Sequence, residues 1–296
     1  MKTPIFTGAG LAMITPMNPD GSVNYKEIDR IIEDQITQHT DAIISCGTTG
    51  EASTLEDDEH LDVIKHVIKR VAGRIPVIAG TGSNNTAHAV MMSKEAADSG
   101  ADGLLIVTPY YNKTSQSGLV ASYTAVADAT DLPVIMYNVP SRTGVNIAPE
   151  TAKILSAHPK INAIKEASGN ISQVAKIAAL CGDDLNIYSG NDDQIVPLLS
   201  LGAKGVISVL SHVAPQQTHD ICQLWFDGKA AESAALQLQM LDVCNALFCD
   251  VNPIPVKAAM NLLGYTVGDC RLPLVPASEE TVAKLRTALE KADLLK

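Results

Sequence analysis

The chain is short of positive charge. It carries 22 lysines and arginines against 33 aspartates and glutamates, a formal net charge of −11. An average surface of that sign repels nucleic acid and anionic membrane, although a local basic site for an acidic substrate is compatible with it. Paired cysteines are lacking too. Cys46, Cys181, Cys222, Cys244, Cys249 and Cys270 form no C-x-x-C pair and sit in apolar segments, the pattern of free buried thiols in a reducing cytoplasm. No apolar run approaches the roughly 20 residues of a transmembrane helix. The apolar run at the N-terminus stops at Pro16, so neither a membrane span nor a signal peptide is expected.

Several catalytic signatures are missing as well. The histidines His39, His60, His66, His88, His158, His212 and His219 contain no H-E-x-x-H and no obvious pairing, so no metal site is expected. There is no G-x-S-x-G elbow for a serine nucleophile. Gly47-Thr48-Thr49-Gly50-Glu51 lacks the Lys-Ser/Thr pair of a P-loop, and Gly80-Thr81-Gly82 lacks the third glycine of a dinucleotide fingerprint.

What is present is an alternation. Short apolar or β-branched runs cover 10–15, 41–47, 76–82, 103–109, 133–139, 161–167, 186–191 and 205–210. Between them lie helical patterns such as 25–39, 57–71 and 86–99, with Ile28, Ile31, Ile32 and Ile36 at helical spacing. About eight strand–helix units predict an α/β fold, a closed (β/α)8 TIM barrel rather than an open sheet. The strand signal ends near Gly228. Helical patterns over 230–248, 255–263 and 278–295 predict a small C-terminal helical domain, giving a catalytic barrel over 1–228 and an annex over 229–296.

One strand carries a residue that does not suit it. In 161–167, Ile161, Ala163, Lys165 and Ala167 share one face if the segment is extended, and Asn162, Ile164 and Glu166 share the other. A parallel strand is covered on both faces, so an ammonium there is costly. Two readings fit. Lys165 pairs with a carboxylate or emerges into water at the strand end, or it is an amine held in an apolar site, able to form a Schiff base with a carbonyl compound.

In a barrel enzyme the chemistry lies at the C-terminal strand ends. There stand Thr48 and Thr49 in a tight loop with exposed N–H groups, suited to a carboxylate or phosphate or simply to a capped turn. There too stand Tyr110 and Tyr111, then Tyr137 and Arg142, then Gly190. A strand-end tyrosine packs or moves protons, and an arginine joins a surface ion pair or clamps a carboxylate.

The stretches G-T-T-G-E (47–51), T-P-Y-Y-N (108–112), Y-N-V-P-S-R-T-G (137–144) and K-E-A-S-G (165–169) resemble the dihydrodipicolinate synthase family, a branch of the pyruvate-dependent Schiff-base aldolases. The resemblance spans nearly the whole chain. It implies condensation of pyruvate with aspartate 4-semialdehyde in lysine and diaminopimelate biosynthesis, without a metal or organic cofactor, in a cytoplasmic homotetramer built as a dimer of dimers. It implies Lys165 as the Schiff-base residue, Tyr137 as proton donor and acceptor, and Thr48 and Tyr111 as a flanking relay, with Tyr111 acting across a dimer interface. It implies Thr49, Gly190 and Ile207 at the pyruvate site and Arg142 on the semialdehyde carboxylate.

Lysine-inhibited members carry an effector site whose positions correspond here to Ala52, Ser53, Asp57, His60, Asn84, His88 and Tyr110. They place a glutamate at His88 and a histidine at Asp57, so weak or absent inhibition is expected. The alternatives are another pyruvate-dependent aldolase (N-acetylneuraminate lyase or a 2-keto-3-deoxy sugar acid aldolase), a metal-dependent aldolase, which would need clustered ligands that the sequence does not show, and a non-catalytic keto-acid-binding barrel. Arg142 favours the synthase over the lyase, and the intact set Lys165, Tyr137, Thr48 and Tyr111 argues against the last.

Overall fold

Eight of the apolar runs form strands because both of their faces find cover. They are β1 Gly8–Ala12, β2 Ala42–Ser45, β3 Val77–Gly80, β4 Gly103–Val107, β5 Val134–Asn138, β6 Ile161–Glu166, β7 Asn186–Ser189 and β8 Gly205–Ser208. In the computed structural model, which describes residues 2–295, they close into one barrel in chain order. Every neighbouring pair is parallel, β8 closing on β1. This is the expected (β/α)8 barrel.

Two apolar clusters follow from the strand pleat. The inner one gathers Ala12, Ile44, Ile78, Leu105, Ile135, Tyr137, Ala163, Tyr188 and Ile207. The outer one packs strand residues such as Ile43, Met136 and Ile164 against the helices. Inside the barrel the Tyr188 ring stacks on Phe6, with centroids 4.4 Å apart, and its hydroxyl donates to the Phe6 carbonyl at 2.7 Å.

Strict alternation fails at one point of β6. Val134 pairs with Ile161, yet Ile135 pairs with Ala163, so Asn162 is an extra residue, a β-bulge. Ile161 therefore joins the outer cluster beside Ile164 and does not share a face with Ala163 and Lys165. Side-chain bonds absorb the bulge. Asn162 donates to the Thr3 carbonyl at 2.9 Å and accepts from the Asn186 amide at 3.1 Å.

Some barrel helices begin at asparagine caps. Asn24 accepts from the Glu27 N–H ahead of helix Tyr25–Thr37, and Asn85 from the Ala87 N–H ahead of helix Thr86–Asp98. Beyond the barrel the pattern over 230–248 is two helices, Ala230–Gln239 and Leu241–Leu247, with a turn at Met240. The turn brings Met240, Val243, Cys244 and Leu247 onto the outer cluster. Helices Ile254–Leu262 and Glu279–Lys291 complete the chain and contribute Val256, Met260, Leu285 and Leu289 to the same cluster.

Candidate active site

The pairing of β5 with β6 sets Tyr137 opposite Lys165. Both side chains turn inward and are nearly covered, at 6% exposure for Lys165 and 7% for Tyr137. The Lys165 amine lies 4.4 Å from the centre of the Tyr137 ring. No salt bridge within 4.0 Å engages Lys165 among the described residues, and the strand end does not carry it into water.

Gly190, after β7, stands against the same amine. A Cβ there would come within 3.1 Å of Lys165 Cε and 2.6 Å of the Ala167 Cβ, so only glycine leaves the lysine its room. Ile207 on β8 belongs to the inner cluster with Tyr137. Glu166 points the opposite way. It is buried and accepts from the Asn138 amide at 3.0 and 3.1 Å, from the Ser168 N–H at 2.9 Å and from Gln173 at 3.2 Å, a structural role.

The G-T-T-G-E loop after β2 is held from several directions. Gly50 allows a close approach, since a Cβ would sit 3.0 Å from the Cys46 Cα and from the Met13 carbonyl oxygen. The Thr15 hydroxyl donates to the Gly50 carbonyl at 2.7 Å. Glu51 adopts φ 56°, a left-handed conformation costing a side-chain-bearing residue about 1–3 kcal/mol. Its carboxylate lies 2.5 Å from the Lys257 amine and accepts from the Arg271 N–H at 2.8 Å. Thr49 is buried, and its hydroxyl accepts from the Asn252 amide at 3.0 Å. Arg142, on the short helix Pro140–Thr143, donates to the Asn252 carbonyl at 3.3 Å.

A cavity of about 430 Å³ opens at this end of the barrel. Thr48, Tyr137 and Arg142 line it, together with the expected effector positions Ala52, Ser53, Asp57, His60, His88 and Tyr110. Asn84 lies outside this lining, where its carbonyl accepts from the Asn112 amide at 2.9 Å. His88 and Asp57 pair at 2.9 Å, so the carboxylate at position 57 faces the histidine. His60 is buried with Nε2 2.8 Å from the Gly80 carbonyl oxygen, and burial lowers its pKa.

Tyr111 is the member that this chain does not bring in. It is 91% exposed, at φ 68°, and is not among the residues that line the cavity. No hydrogen bond joins Thr48, Tyr137 and Tyr111 among the described residues.

Residues 5–292 match the dihydrodipicolinate synthetase family. A 4-hydroxy-tetrahydrodipicolinate synthase of Caldicellulosiruptor saccharolyticus is 57% identical over 286 residues, covering 97% of each chain.

The chain belongs to the dihydrodipicolinate synthetase family.

A further relative of this family, the 4-hydroxy-tetrahydrodipicolinate synthase of Acetivibrio thermocellus, is 52% identical over 295 residues and covers 100% of both chains. Among solved structures, the chloride-inhibited dihydrodipicolinate synthase from Acinetobacter baumannii, complexed with pyruvate, superposes with a TM-score of 0.96 at 42% identity. That match covers 98% of this chain and 99% of the other. The relatives carry the synthase name rather than that of N-acetylneuraminate lyase or a sugar acid aldolase, so the alternative activity has no support here.

Sequence reading did not single out four buried polar residues that shape this mouth, Asn252, Lys257, Asp192 and His212, nor the half-buried Arg271. Lys257 had a signal. It interrupts the apolar helix Ile254–Leu262 much as Lys165 interrupts its strand. Asp192 accepts from the backbone N–H groups of Val209 and Leu210 at 3.0 and 2.9 Å. Burial raises its pKa, opposed by Ser208, those two N–H groups and the charge of Lys165. His212 accepts from the Ile14 N–H at 3.0 Å and donates to the Val209 carbonyl at 2.9 Å, tying the end of β1 to the end of β8. Nothing in a local pattern reports such long-range partners.

Proposed function

We propose that the chain condenses pyruvate with aspartate 4-semialdehyde, through a Schiff base on Lys165, to give 4-hydroxy-tetrahydrodipicolinate. The observation that carries this reading is the buried Lys165 amine over the Tyr137 ring, with Gly190 leaving space beside it.

The amine adds to the pyruvate ketone, and loss of water gives an iminium. The iminium withdraws electrons, so the methyl group gives up a proton and becomes an enamine carbon. That carbon attacks the aldehyde and the new C–C bond forms. The amine of the semialdehyde then adds to the iminium carbon, closes the ring and expels the Lys165 amine. Every step moves a proton, and Tyr137, whose ring lies 4.4 Å from the lysine amine, is the proton carrier in this reading. Thr48, on the same cavity, passes protons to it. Thr49 receives the pyruvate carboxylate with its hydroxyl and backbone N–H, beside Gly190 and Ile207. Arg142, at the cavity edge, takes the semialdehyde carboxylate as a planar two-pronged donor.

Tyr111 completes the relay in a neighbouring subunit, which its exposure supports. The role of Tyr111 needs at least a dimer, and the assembly proposed is a homotetramer in the cytoplasm. In this reading the annex expected over 229–296 braces the G-T-T-G-E loop through Lys257, Arg271 and Asn252. The test is turnover of the two substrates, followed through reduction of the product, with Lys165→Ala beside the native protein. Turnover that vanishes in the variant supports the reading. Turnover that survives it removes Lys165 from the chemistry, and none from well-folded native protein rejects the substrate pair.

A further inference from the structure

Asn252 is buried and touches two residues assigned to substrate recognition, one of them 203 positions away in the chain. Its side-chain Nδ2 donates to Thr49 Oγ1 at 3.0 Å. Its backbone carbonyl accepts from Arg142 Nη2 at 3.3 Å. The two contacts differ in kind. A substitution at position 252 removes the first and leaves the second.

A hydroxyl has one proton to donate and lone pairs with which to accept. Once Thr49 Oγ1 accepts from Asn252, its own proton must point elsewhere, and the Nδ2 group has nothing with which to take it. The Thr49 hydroxyl is therefore set as a donor, the form that an incoming carboxylate requires. The other half of the amide is not satisfied. Asn252 Oδ1 is buried with no hydrogen-bond partner among the described residues. An unspent buried acceptor weakens a fold, and a side chain retained only for packing avoids it.

We propose that Asn252 is a positioning residue for the keto-acid carboxylate, holding the Thr49 hydroxyl with its proton toward the substrate. The proposal rests on the reading of Thr49 as a carboxylate ligand. Removing the amide frees the hydroxyl to rotate and weakens pyruvate binding. The semialdehyde side is spared, because Arg142 meets the backbone of residue 252 rather than its side chain.

The experiment is steady-state kinetics for both substrates on Asn252→Ala, Asn252→Asp, Thr49→Val and the Asn252→Ala/Thr49→Val double variant. Asn252→Ala is expected to raise the pyruvate KM by about tenfold, the effect of one hydrogen bond to a charged group, with kcat and the semialdehyde KM little changed. Asn252→Asp keeps the shape but can only accept. It pulls the Thr49 proton toward itself and sets a negative charge near the carboxylate, so its pyruvate KM rises further than that of the alanine variant. A packing role predicts the opposite order, with the isosteric aspartate the milder change. In the Thr49→Val background, Asn252→Ala adds nothing further.

If Thr49→Val raises the pyruvate KM while the Asn252 variants leave it unchanged, or act additively with it, the role of Asn252 is overturned and that of Thr49 stands. If Thr49→Val leaves the pyruvate KM unchanged, the reading of Thr49 falls and this proposal falls with it. Circular dichroism checks folding. Should the alanine variant not fold, Asn252→Asp carries the test, and a pyruvate KM equal to that of the native protein overturns the proposal.

Discussion

Lys165 and Tyr137 face one another across the β5–β6 pair, with the lysine amine 4.4 Å from the centre of the tyrosine ring. Their spacing is fixed by a strand register, which makes the relationship as rigid as the barrel itself. The proposed nucleophile and proton carrier are thus set together by the backbone rather than by flexible loops.

Tyr137→Phe keeps the ring and its packing and removes only the hydroxyl. Its kcat is expected to fall by about 10²–10⁴, the usual range for losing a general acid–base group. The variant should still form an adduct with pyruvate on Lys165, more slowly. A coupled turnover assay decides, and a kcat equal to that of the native protein contradicts the role.

Glu51 and Lys257 form a buried pair, 2.5 Å apart, that joins the substrate loop to the C-terminal helices. Removing either partner strands the other charge. Glu51→Gln and Lys257→Met are each expected to lower stability by about 3–5 kcal/mol, and the double variant to lose much less than the sum. Urea denaturation of the three variants measures this. Additive losses contradict a coupled pair.

His212 is buried, and its pKa is lowered from 6.5 to about 4. The unfolded chain therefore binds a proton between these values that the folded chain refuses. The stabilising contribution is complete above pH 6.5 and is lost as the pH falls toward about 4, an effect of about 3 kcal/mol. Denaturation across this window, compared between native protein and His212→Gln, should show a shallower loss in the variant. Parallel profiles contradict the assignment.

Free lysine is expected to inhibit weakly or not at all. The cavity retains a carboxylate at Asp57, but His88 already engages it at 2.9 Å, and an incoming ammonium must compete for it. The exchange Asp57→His with His88→Glu should strengthen inhibition. Sub-millimolar inhibition of the native protein by lysine contradicts the expectation.

The barrel was legible because a parallel strand covered on both faces reads as a continuous apolar run, and eight such runs recur at βα spacing. Lys165 was legible for the same reason, as a charge in one of those runs. The bulge at Asn162 was not, since it depends on Asn186 and Thr3, which local alternation cannot report. The break at Met240 was hidden because both halves of the pattern are helical. The anchoring of Glu51 and Thr49 by Lys257 and Asn252 was also hidden, for these partners lie about two hundred residues away and meet only once the barrel has closed.

The central claim is the covalent bond between pyruvate and Lys165. Incubating the native protein with pyruvate and borohydride, then digesting it and weighing the peptides, tests it directly. One reduced pyruvate adduct on the peptide carrying Lys165, with matching loss of turnover and no adduct in Lys165→Ala, is the predicted result. An adduct on another lysine such as Lys257, or none on folded and active protein, contradicts it.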